Sequence, residues 1–546
     1  MSSGILPSGK AGTHPVRGEN CDQCGRRRDY NERMTKLLIR GARVLDLDGD
    51  VHMPPLLDIL IEGDRISAVG PHISAEAAGG AEIIEAQGKL AIPGLINSHF
   101  HSNDVLAKGM MEDLPLDSWS MMASPLGSRR SLQEVRARTL LGAIDCLRNG
   151  ITTVQDFSNF APANEEVLDT ILDAYADAGI RVIFSVTVRD KSQMDTIPWI
   201  REIAPAEMHD AIGNNAEAPG PQMDFVASQI KRVGDRAGML RWALSPSAPQ
   251  RCSPGMLEAV ADLSKKLNLP VYTHVYETRM QRVFAQQALA DYGGSAIRML
   301  EATGLLGPNT SIAHGVWPEH DEIELIGKTG TNVVLNMLSN LKLKSGIAPV
   351  MDYRANGVNL ALGCDNCSCS DVQSLMQVMK LFCLLTASSS PFSTGVTAVD
   401  ALRAATIGGA RAAGLEKSLG AIKPGFKADI VLLDLFDTAY VPFNSAVRQV
   451  VFADSGRAID SVIVNGRLVI EERKLLSVDE AALHEEIAGL MPAVRTEFSR
   501  LRDGFEKARP YLDEVQKRAW NVPLSVHRHV GAPATEMLPR KGRGRA

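Results

Sequence analysis

Between residues 93 and 417, the hydrophobic positions fall into short apolar runs that alternate with longer helical patterns. Nearly continuous apolar runs are typical of parallel strands covered by helices. Eight such units over about 270 residues match the size of a (β/α)8 barrel. We therefore predict an α/β fold with barrel strands at 94–99, 151–157, 181–188, 241–245, 270–274, 310–314, 332–336 and 358–363. The predicted helices include 132–148, 165–178, 254–267, 280–303 and 319–329.

Apolar runs of a different kind flank this segment. Before it, runs at 37–44, 59–61 and 66–69 are separated by Gly-Asp turns, as in β-hairpins. After a helical segment at 398–414, strand patterns return, and Asn465-Gly466 is a strong hairpin turn. These later strands are predicted at 428–433, 446–452, 460–464 and 467–470. We predict that 36–92 and 418–475 are the two parts of one small β domain, around a barrel at 93–417.

The two ends of the chain have weaker patterns. Residues 1–35 are rich in Gly, Ser, Arg and Asn, cannot bury enough apolar surface to become ordered, and predict a disordered tail. Residues 476–520 predict a helical extension. Residues 521–546 end in a basic, glycine-interrupted segment and predict a second disordered tail.

Composition narrows the possible partners. The 546 residues include 58 Lys and Arg against 64 Asp and Glu, a net charge of -6. This balance excludes a globally basic surface for nucleic acid or an anionic membrane. No apolar run approaches the ~20 residues needed to cross a bilayer. We expect a small-molecule substrate, and neither a nucleic-acid nor a membrane partner.

Cysteine usage indicates the cytoplasm. Eight cysteines are too few for a disulfide scaffold, and four of them crowd between Cys364 and Cys383. Residues 1–35 contain no apolar segment of the kind found in a secretory signal. We therefore expect reduced thiols and a cytoplasmic location.

Four histidines at predicted strand ends form a candidate metal site. His99 and His101 end the first strand and face the same side, because side chains alternate along a strand. A His-x-His pair alone is common in ordinary strand ends. However, His274 and His314 end two later strands, and barrel active sites are assembled at that end. The other histidines lie in tails, loops or the β domain, except His320, which we expect to be a solvated helix residue.

Two carboxylates extend this site. Asp365 follows the last strand, and with three histidines it would leave one position open for water, which is typical of catalytic zinc. Glu277 lies three residues after His274, so it faces inward only if the chain has already left the strand there. Its alternative role is that of a helix-N-terminal glutamate favoured by the helix dipole.

Cysteine offers a competing metal site. Cys364, Cys367 and Cys369 could bind a soft metal, but no second cysteine pair stands at zinc-ribbon spacing. We prefer the interpretation that these cysteines are small buried residues that pack around Asp365. Cys21 and Cys24 are a lone pair in the predicted tail. The His-x-Glu and Pro-Cys-x-x-Cys signature of one class of zinc nucleobase deaminases is absent from the sequence.

Taken together, these residues resemble the metal-dependent amidohydrolase superfamily, in the branch of triazine hydrolases and of cytosine, guanine and adenosylhomocysteine deaminases. The resemblance runs from about Lys36 to Ile470. Six motifs carry it in order: Pro93-Gly94-Leu95-Ile96-Asn97-Ser98-His99-Phe100-His101, Thr273-His274-Val275-Tyr276-Glu277-Thr278, Ala313-His314-Gly315-Val316-Trp317, Ser339-Asn340-Leu341-Lys342-Leu343-Lys344-Ser345-Gly346, Leu362-Gly363-Cys364-Asp365 and Pro424-Gly425-Phe426-Lys427-Ala428-Asp429. The resemblance implies a distorted barrel and a β-sandwich built from both chain ends.

The resemblance also implies roles for the site residues. His99, His101, His274 and Asp365 match the metal ligands, whereas Glu277 and His314 match the residues that transfer protons and assist an oxyanion. Members with two metals carry a carboxylated lysine at the end of strand four, where residues 243–247 have none. One divalent metal per chain is therefore expected, with zinc favoured over iron, manganese or cobalt.

Three departures from the family pattern leave the substrate open. They are Asn336, Cys364-Asp365-Asn366 and Lys108-Gly109. We predict a hydrolase of non-peptide carbon–nitrogen bonds, specifically an aminohydrolase of an N-heterocycle, and a homo-oligomer. The enzymatic alternative is a hydrolase of ureas, carbamates or triazines, including dechlorination. The alternative from another class is a non-catalytic assembly protein with the same fold.

Overall fold

The computed structural model describes residues 36–126, 130–160, 163–213, 218–388 and 395–530. The predicted tail at 1–35 and the basic residues at 531–546 lie outside the described residues. The strands are β1 Lys36–Val44, β2 Leu56–Glu62, β3 Arg65–Gly70, β4 Glu82–Glu85, β5 Lys89–Pro93, β6 Leu95–Phe100, β7 Ile151–Ser158, β8 Arg181–Val188, β9 Leu240–Trp242, β10 Ser245–Pro246, β11 Val271–Val275, β12 Thr310–His314, β13 Asn332–Leu335, β14 Leu360–Leu362, β15 Ile430–Asp434, β16 Ile459–Val464, β17 Arg467–Glu471 and β18 Lys474–Leu475.

The α-helices are α1 Ala75–Ala78, α2 Leu116–Leu126, α3 Leu132–Arg148, α4 Glu165–Ala178, α5 Ile200–Ile203, α6 His209–Ile212, α7 Pro219–Val233, α8 Pro254–Leu267, α9 Arg279–Ala288, α10 Ala296–Ala302, α11 His320–Thr329, α12 Met337–Lys342, α13 Val350–Ala355, α14 Cys367–Ser370, α15 Leu375–Ala387, α16 Ala398–Arg403, α17 Gly409–Ala412, α18 Ala446–Phe452 and α19 Glu480–Asn521. Short 3-10 turns lie at Ser102–Ala107, Met194–Thr196, Ala206–Met208, Pro249–Arg251 and Ala290–Tyr292, and a π-helical turn lies at Ala404–Gly408.

The strands β6 to β14 build the predicted barrel. Two parallel sheets, β10-β8-β7-β6 with β9 beside β8, and β11-β12-β13-β14, form its two halves. The halves meet where the amide of Tyr272 donates to Leu244 O (2.9 Å). They meet again where the amide of Asp365 donates to His99 O (2.9 Å). The prediction of an α/β barrel is confirmed, and this second junction brings the first and eighth strand positions together.

The two ends of the chain share one mixed sheet of nine strands. Its order is β18-β17-β16-β15-β5-β1-β2-β3, with β4 beside β1. The halves join between β15 and β5, which pair antiparallel from Ile430 opposite Pro93 to Asp434 opposite Lys89. One face buries Ile39, Ile59 and Ile430. Both predicted halves of the β domain therefore lie in a single hydrogen-bonded sheet.

The helix bounds follow the sequence closely where end signals are clear. Helices α3, α4 and α8 begin after Ser131, Asn164 and Ser253, whose side chains accept a hydrogen bond from the first turn of each helix. The helix predicted at 280–303 is divided into α9 and α10, because Gly293 and Gly294 adopt positive φ between them. Glycine tolerates this conformation and ends helices.

The strand predicted at 446–452 is wrong, because this segment is helix α18. The valines that suggested a strand sit at helical spacing, and Val447, Val450 and Val451 are all buried. Ser445 accepts from the amide of Arg448 (3.4 Å) and begins the helix. Helical periodicity and the cap therefore override the β-propensity of valine.

Helix α19 and the segment after it lie against the barrel. Phe505, Leu512 and Val515 of α19 share a buried apolar cluster with Trp119 and Met122 of α2. Residues 522–530, which we expected to be disordered, instead pack on the barrel. The guanidinium of Arg528 donates to Val316 O (3.0 Å) and Pro318 O (2.9 Å), and the amide of Ile347 donates to Arg528 O (2.7 Å). Leu524 and Val526 also pack against the buried core, so both polar bonds and apolar contacts hold this segment on the barrel.

Among the described residues, no helix combines the length and apolar character required to span a membrane.

Candidate metal centre and active site

The fold brings the four predicted metal ligands together at the carboxyl ends of the barrel strands. His99 lies in β6 and His101 follows it, His274 lies in β11, and Asp365 follows β14. The backbone of Asp365 has a φ of 65°, an unusual conformation for a residue with a side chain. The amide of Asp365 is held by His99 O (2.9 Å), so β6 positions the strand-eight carboxylate as well as its own histidine. Such strain persists only where surrounding structure enforces it, and it concentrates at functional sites.

The three imidazoles present their Nε2 atoms to one another. Nε2 of His101 lies 3.2 Å from Nε2 of His99 and 3.4 Å from Nε2 of His274. Nδ1 of His101 faces Phe157 O (2.7 Å), and Nδ1 of His274 faces Ser247 O (2.7 Å). A carbonyl only accepts, so the proton sits on Nδ1 and Nε2 carries a lone pair. Lone pairs at this separation repel, and a cation between them removes the repulsion.

Asp365 supplies the negative charge for such a cation. Its Oδ1 lies 3.5 Å from Nε2 of His99 and 3.4 Å from Nε2 of His101. Burial lowers the pKa of His99 well below its usual value and lowers the pKa of His274 to about 3, so both rings are neutral. For Asp365, burial opposes the charge, but His99, His314 and His101 outweigh it and lower the pKa of the carboxyl. Neutral imidazoles and an ionised carboxylate fit a divalent metal such as zinc.

Glu277 and His314 lie at the edge of this cluster. Nε2 of His314 is 3.6 Å from Oε2 of Glu277 and 3.8 Å from Oδ2 of Asp365. Tyr276 has a φ of 52°, so the chain turns out of the strand geometry just before Glu277. The amide of Glu277 is then held by Oε1 of Gln281 (2.8 Å). The sequence predicted that Glu277 would face the site only if the chain had already left the strand, and this turn meets that condition.

The carboxyl of Glu277 is adapted to hold a proton. Burial raises the pKa of Glu277, His314 lowers it and the charge of Asp365 raises it, so that the pKa is about 7. Its Oε1 is buried and has no hydrogen-bond partner among the described residues. A carboxyl poised near neutral pH with a free oxygen is suited to general acid or base catalysis.

Two asparagines that the sequence did not mark as site residues position His314. Oδ1 of Asn340 lies 2.8 Å from Nδ1 of His314, which fixes the proton on that nitrogen. Asn336, noted only as a departure from the family pattern, places its Nδ2 3.4 Å from the same ring. Asn336 stands at a strand end, directly after β13, but the strand-end rule does not identify Asn340, because Asn340 lies on α12.

A cavity of about 230 Å³ opens above the cluster. His101, His274, Glu277, His314 and Asp365 line one part of it. Its other walls include three residues that the sequence analysis missed, Asp117, Arg189 and Arg251. Of these three residues, only Arg189 could have been found from the sequence, because it is a charged residue directly after a strand, β8.

The cysteines do not assemble a competing metal site within the described chain. The groups of ligand atoms close enough to share an ion are His99, His101 and His274, and His99, His314 and Asp365. Cys364, Cys367 and Cys369 are buried, and burial raises the pKa of each thiol well above its usual value. Protonated thiols are poor ligands, so these residues pack around the Asp365 loop. Cys21 and Cys24 lie outside the described residues.

Known proteins resemble this chain over most of its length. The 5-methylthioadenosine/S-adenosylhomocysteine deaminase of Carboxydothermus hydrogenoformans is 31% identical over 451 residues, which are 82% of this chain and 96% of the relative. The 5'-deoxyadenosine deaminase of Methanothermobacter thermautotrophicus is 31% identical over 458 residues, 82% of this chain and 98% of the relative.

Solved structures share the fold. An adenosine deaminase from Xanthomonas campestris with bound zinc superposes with a TM-score of 0.70 at 25% identity, over 85% of this chain and 99% of that one. Atrazine chlorohydrolase from Arthrobacter aurescens complexed with zinc gives 0.72 at 24% identity, over 84% of this chain and 100% of that one. The model of the amidohydrolase family matches residues 90–469. The chain therefore belongs to the amidohydrolase family, as a hydrolase that acts on carbon–nitrogen bonds.

Proposed function

We propose that this enzyme is an aminohydrolase that uses one divalent metal, zinc, to replace the amino group of an N-heterocycle by water and release ammonia. The observation that carries the proposal is the pairing of Glu277 with His314 beside the His99, His101, His274 and Asp365 cluster. A leaving amino group needs a proton, and the buried carboxyl of Glu277 is the group available to deliver it.

The four ligand side chains would hold the metal. A bound divalent cation lowers the pKa of its water toward about 7 and so supplies a nucleophile at neutral pH. Among the described residues, the cavity wall offers no lysine to bridge a second ion, and Ser245, at the end of strand four, instead shares a hydrogen bond with Ser185 (2.6 Å). These features support a single metal per chain.

The remaining steps belong to the side chains. Asp365 accepts the proton of the attacking water at Oδ2, the oxygen that faces His314. Nε2 of His314 lies between both carboxylates, and with a proton on both nitrogens the ring would stabilise the negative charge that develops on the ring nitrogen beside the attacked carbon. Glu277 gives a proton to the departing nitrogen from the carboxyl that burial keeps protonated near pH 7. Water first adds to the ring carbon and forms the carbon–oxygen bond; the carbon–nitrogen bond then breaks as the nitrogen is protonated, and ammonia leaves. The proton taken by Asp365 balances the one given by Glu277.

We infer a 6-aminopurine nucleoside as the substrate. The relatives at 31% identity are named for 5-methylthioadenosine, S-adenosylhomocysteine and 5'-deoxyadenosine, which share the adenine amino group. Atrazine chlorohydrolase, at 24% identity, supports the fold only, so we infer the substrate from the relatives at 31% identity. Hydrolysis of ureas, carbamates or chlorinated triazines is the alternative that the same experiment tests.

The test is to purify the chain, measure its metal by elemental analysis, and assay ammonia release from aminopurine nucleosides, aminopyrimidines, triazines and aryl ureas. We expect one metal per chain and the highest kcat/KM on a 6-aminopurine nucleoside. Two metal equivalents in active enzyme would contradict the mononuclear site. Turnover confined to ureas or chlorotriazines would contradict the aminohydrolase assignment, and absence of bound metal would favour a non-catalytic protein.

We also propose a cytoplasmic location and a homo-oligomeric state. The six cysteines in the described chain are all unpaired, which supports a reducing compartment. Light scattering of the purified protein tests the oligomeric state, and a monomer would contradict it.

A further inference from the structure

Two arginines line the part of the cavity wall that belongs to barrel strands three and four. Arg189 follows β8 directly, and Arg251 ends the 3-10 turn that follows β10. The proposed metal ligands come from the end of β6, from β11 and from the third residue after β14, so the two arginines belong to a different part of the barrel mouth. The cavity thus has an acidic and imidazole-lined part and a basic part.

The backbone fixes the two arginine loops against each other. The amides of Asp190 and Lys191 donate to Arg251 O (3.2 and 3.0 Å). The amide of Ser253 donates to Oδ1 of Asp190 (2.6 Å). These bonds join the loop after strand three to the loop after strand four, so the two guanidinium groups belong to one rigid wall.

Arg251 makes no close ion pair within the described chain, and the opposite charge of Asp195 acts on it only at longer range. No ion pair or hydrogen bond reaches its guanidinium there, and its Nε is enclosed without a partner. The acidic groups nearby are engaged elsewhere. Asp190 holds the amide of Ser253, and Asp195 accepts from Arg201 (2.6 Å) and from Ser192 (2.7 Å). Arg251 is half-buried, and a cation withdrawn from water without a close counterion is costly unless a ligand supplies the anion.

Electrostatics agree with this geometry. Burial and the like charge of Arg189 together lower the pKa of Arg251 to about 10, against a smaller opposing effect of Asp195. The guanidinium is charged at neutral pH all the same. An anion that binds beside Arg251 would offset the free energy of keeping this guanidinium charged away from water.

We propose that Arg251, together with Arg189, binds an anionic group of the substrate, a carboxylate or a phosphate, carried on the part of the molecule remote from the reacting amino group. This specificity site rests on the proposed deaminase function. A guanidinium matches either anion through paired N–H donors, which is why arginine is suited to this recognition. A neutral nucleoside would leave Arg251 unpaired and should be a poorer substrate.

The experiment compares three 6-aminopurine substrates: neutral 5'-methylthioadenosine, S-adenosylhomocysteine with its carboxylate, and adenosine 5'-monophosphate with its phosphate. We expect wild-type enzyme to prefer one anionic substrate, and the preferred one identifies the anion. Arg251→Gln should lower kcat/KM for that substrate by about 10- to 100-fold, mainly through KM, and change the neutral substrate little. Arg251→Lys should restore part of the loss. Arg232→Gln, which removes an exposed guanidinium paired with Asp169, is the matched control.

Equal losses on the neutral and anionic substrates, or a wild-type preference for the neutral one, would overturn the proposal. Calorimetric titration of the metal-loaded proteins with inorganic phosphate gives a readout that needs no turnover. If no aminopurine is deaminated, the deaminase assignment fails and this titration decides the site. Weaker phosphate binding by Arg251→Gln at unchanged metal content then supports the anion site, and equal binding by both proteins overturns it.

Discussion

Two buried polar clusters lie at opposite ends of the barrel strands, and they differ in how their hydrogen bonds are satisfied. At the amino end, the guanidinium of Arg181 donates to Asp429 (3.0 Å), to Asn465 (2.9 Å) and to Gly238 O. Asp429 also accepts from the amide of Asn465 (2.8 Å). At the carboxyl end, the imidazoles of His99, His101 and His274 meet through lone pairs.

This difference distinguishes polar side chains that hold the fold together from polar side chains that we propose act in catalysis. The Arg181 cluster joins β8 of the barrel to the segments around β15 and β16, and each charge finds an opposite charge within the chain. The histidine cluster leaves Nδ1 of His99 and Oε1 of Glu277 buried without partners. Buried polar groups are normally satisfied. The Arg181 cluster leaves Nε of Arg181 without a partner but pairs its charge with Asp429, whereas the histidine cluster leaves an imidazole nitrogen and a carboxyl oxygen unpaired, which supports the proposed metal and substrate site at that end.

The largest effect is expected at the centre of the unsatisfied cluster. His99→Ala removes a ligand nitrogen, and we expect metal content to fall to background and turnover to fall below detection. The fold should persist, because β6 keeps its backbone pairing. Elemental analysis, ammonia assay and circular dichroism measure these three properties. His320→Ala, at a histidine whose side chain is 78% exposed on α11, is the control and should change none of them. Retained metal in His99→Ala would contradict the assigned site.

Glu277→Gln separates the proton donor from the ligands. We expect metal content to stay unchanged and kcat to fall by about 100- to 10,000-fold, the range typical of losing a general acid or base. The exposed Glu324→Gln is the control. Because chloride leaves without a proton, dechlorination of a matched chloro substrate should be much less sensitive than deamination. Equal losses on both substrates would remove the leaving-group role, and loss of metal would make Glu277 a ligand.

The pH profile tests the same group. The pKa of Glu277 is raised to about 7, and the protonated carboxyl is the form that delivers the proton. We therefore expect kcat/KM of wild-type enzyme to fall as the pH rises through about 7, and this limb to be absent in Glu277→Gln. If kcat/KM falls at the same pH in both proteins, a group other than Glu277 causes the fall.

Asp429→Ala tests the satisfied cluster. It leaves Arg181 buried without its carboxylate, which typically costs ~3–5 kcal/mol of unfolding free energy. The metal ligands lie at the other end of the strands, so metal content per folded molecule should be unchanged. Chemical denaturation and elemental analysis measure the two effects. Lys423→Ala breaks an exposed pair with Asp48 and should cost ~1 kcal/mol or less. Loss of metal before loss of fold would show that the two ends are coupled.

Strand ends explain why the six candidate site residues could be predicted. The rule that barrel chemistry gathers at carboxyl ends of strands selects His99, His101, His274, His314 and Asp365 from position alone. Most barrel strands were predicted within one or two residues, because apolar runs with clear boundaries carry the pattern. Glu277 needed the turn at Tyr276, which is a backbone conformation that no periodicity reveals.

Tertiary packing explains what the sequence did not predict. The valines of α18 favoured a strand, and only the burial of one helical face decides otherwise. Residues 522–530 carry too few apolar positions to predict a helix or strand, and only tertiary packing of Leu524 and Val526 and the polar bonds of Arg528 hold them on the barrel. Asn340, Asp117 and Arg251 come from helices and turns around the mouth, where sequence distance to the metal ligands carries no information about spatial distance.

The smallest effect is expected at Asp117, which is intermediate between the two clusters. This half-buried carboxyl at the cavity wall has one hydrogen-bond donor from the neighbouring α19, the amide of Gln516 (3.2 Å), and burial raises its pKa to about 6 from an ordinary value of 3.8. The folded state therefore binds the proton more tightly than the unfolded state. This contribution to stability is fully present below about pH 4 and is lost as the pH rises through about 6.

Asp117→Asn keeps the shape without the charge, so it should stabilise the protein at pH 7.5 by ~1–3 kcal/mol, since two pH units correspond to at most ~3 kcal/mol. The advantage should shrink as the pH falls toward 5. Thermal unfolding of both metal-loaded proteins at pH 5, 6 and 7.5 measures it, with the exposed Glu166→Gln on α4 as the control. A gap independent of pH would show that the charge of Asp117 is not its cause. If the wild type is more stable than Asp117→Asn at pH 7.5, then Gln516 satisfies the charged carboxylate fully. Asp117 would then resemble the paired groups of the Arg181 cluster.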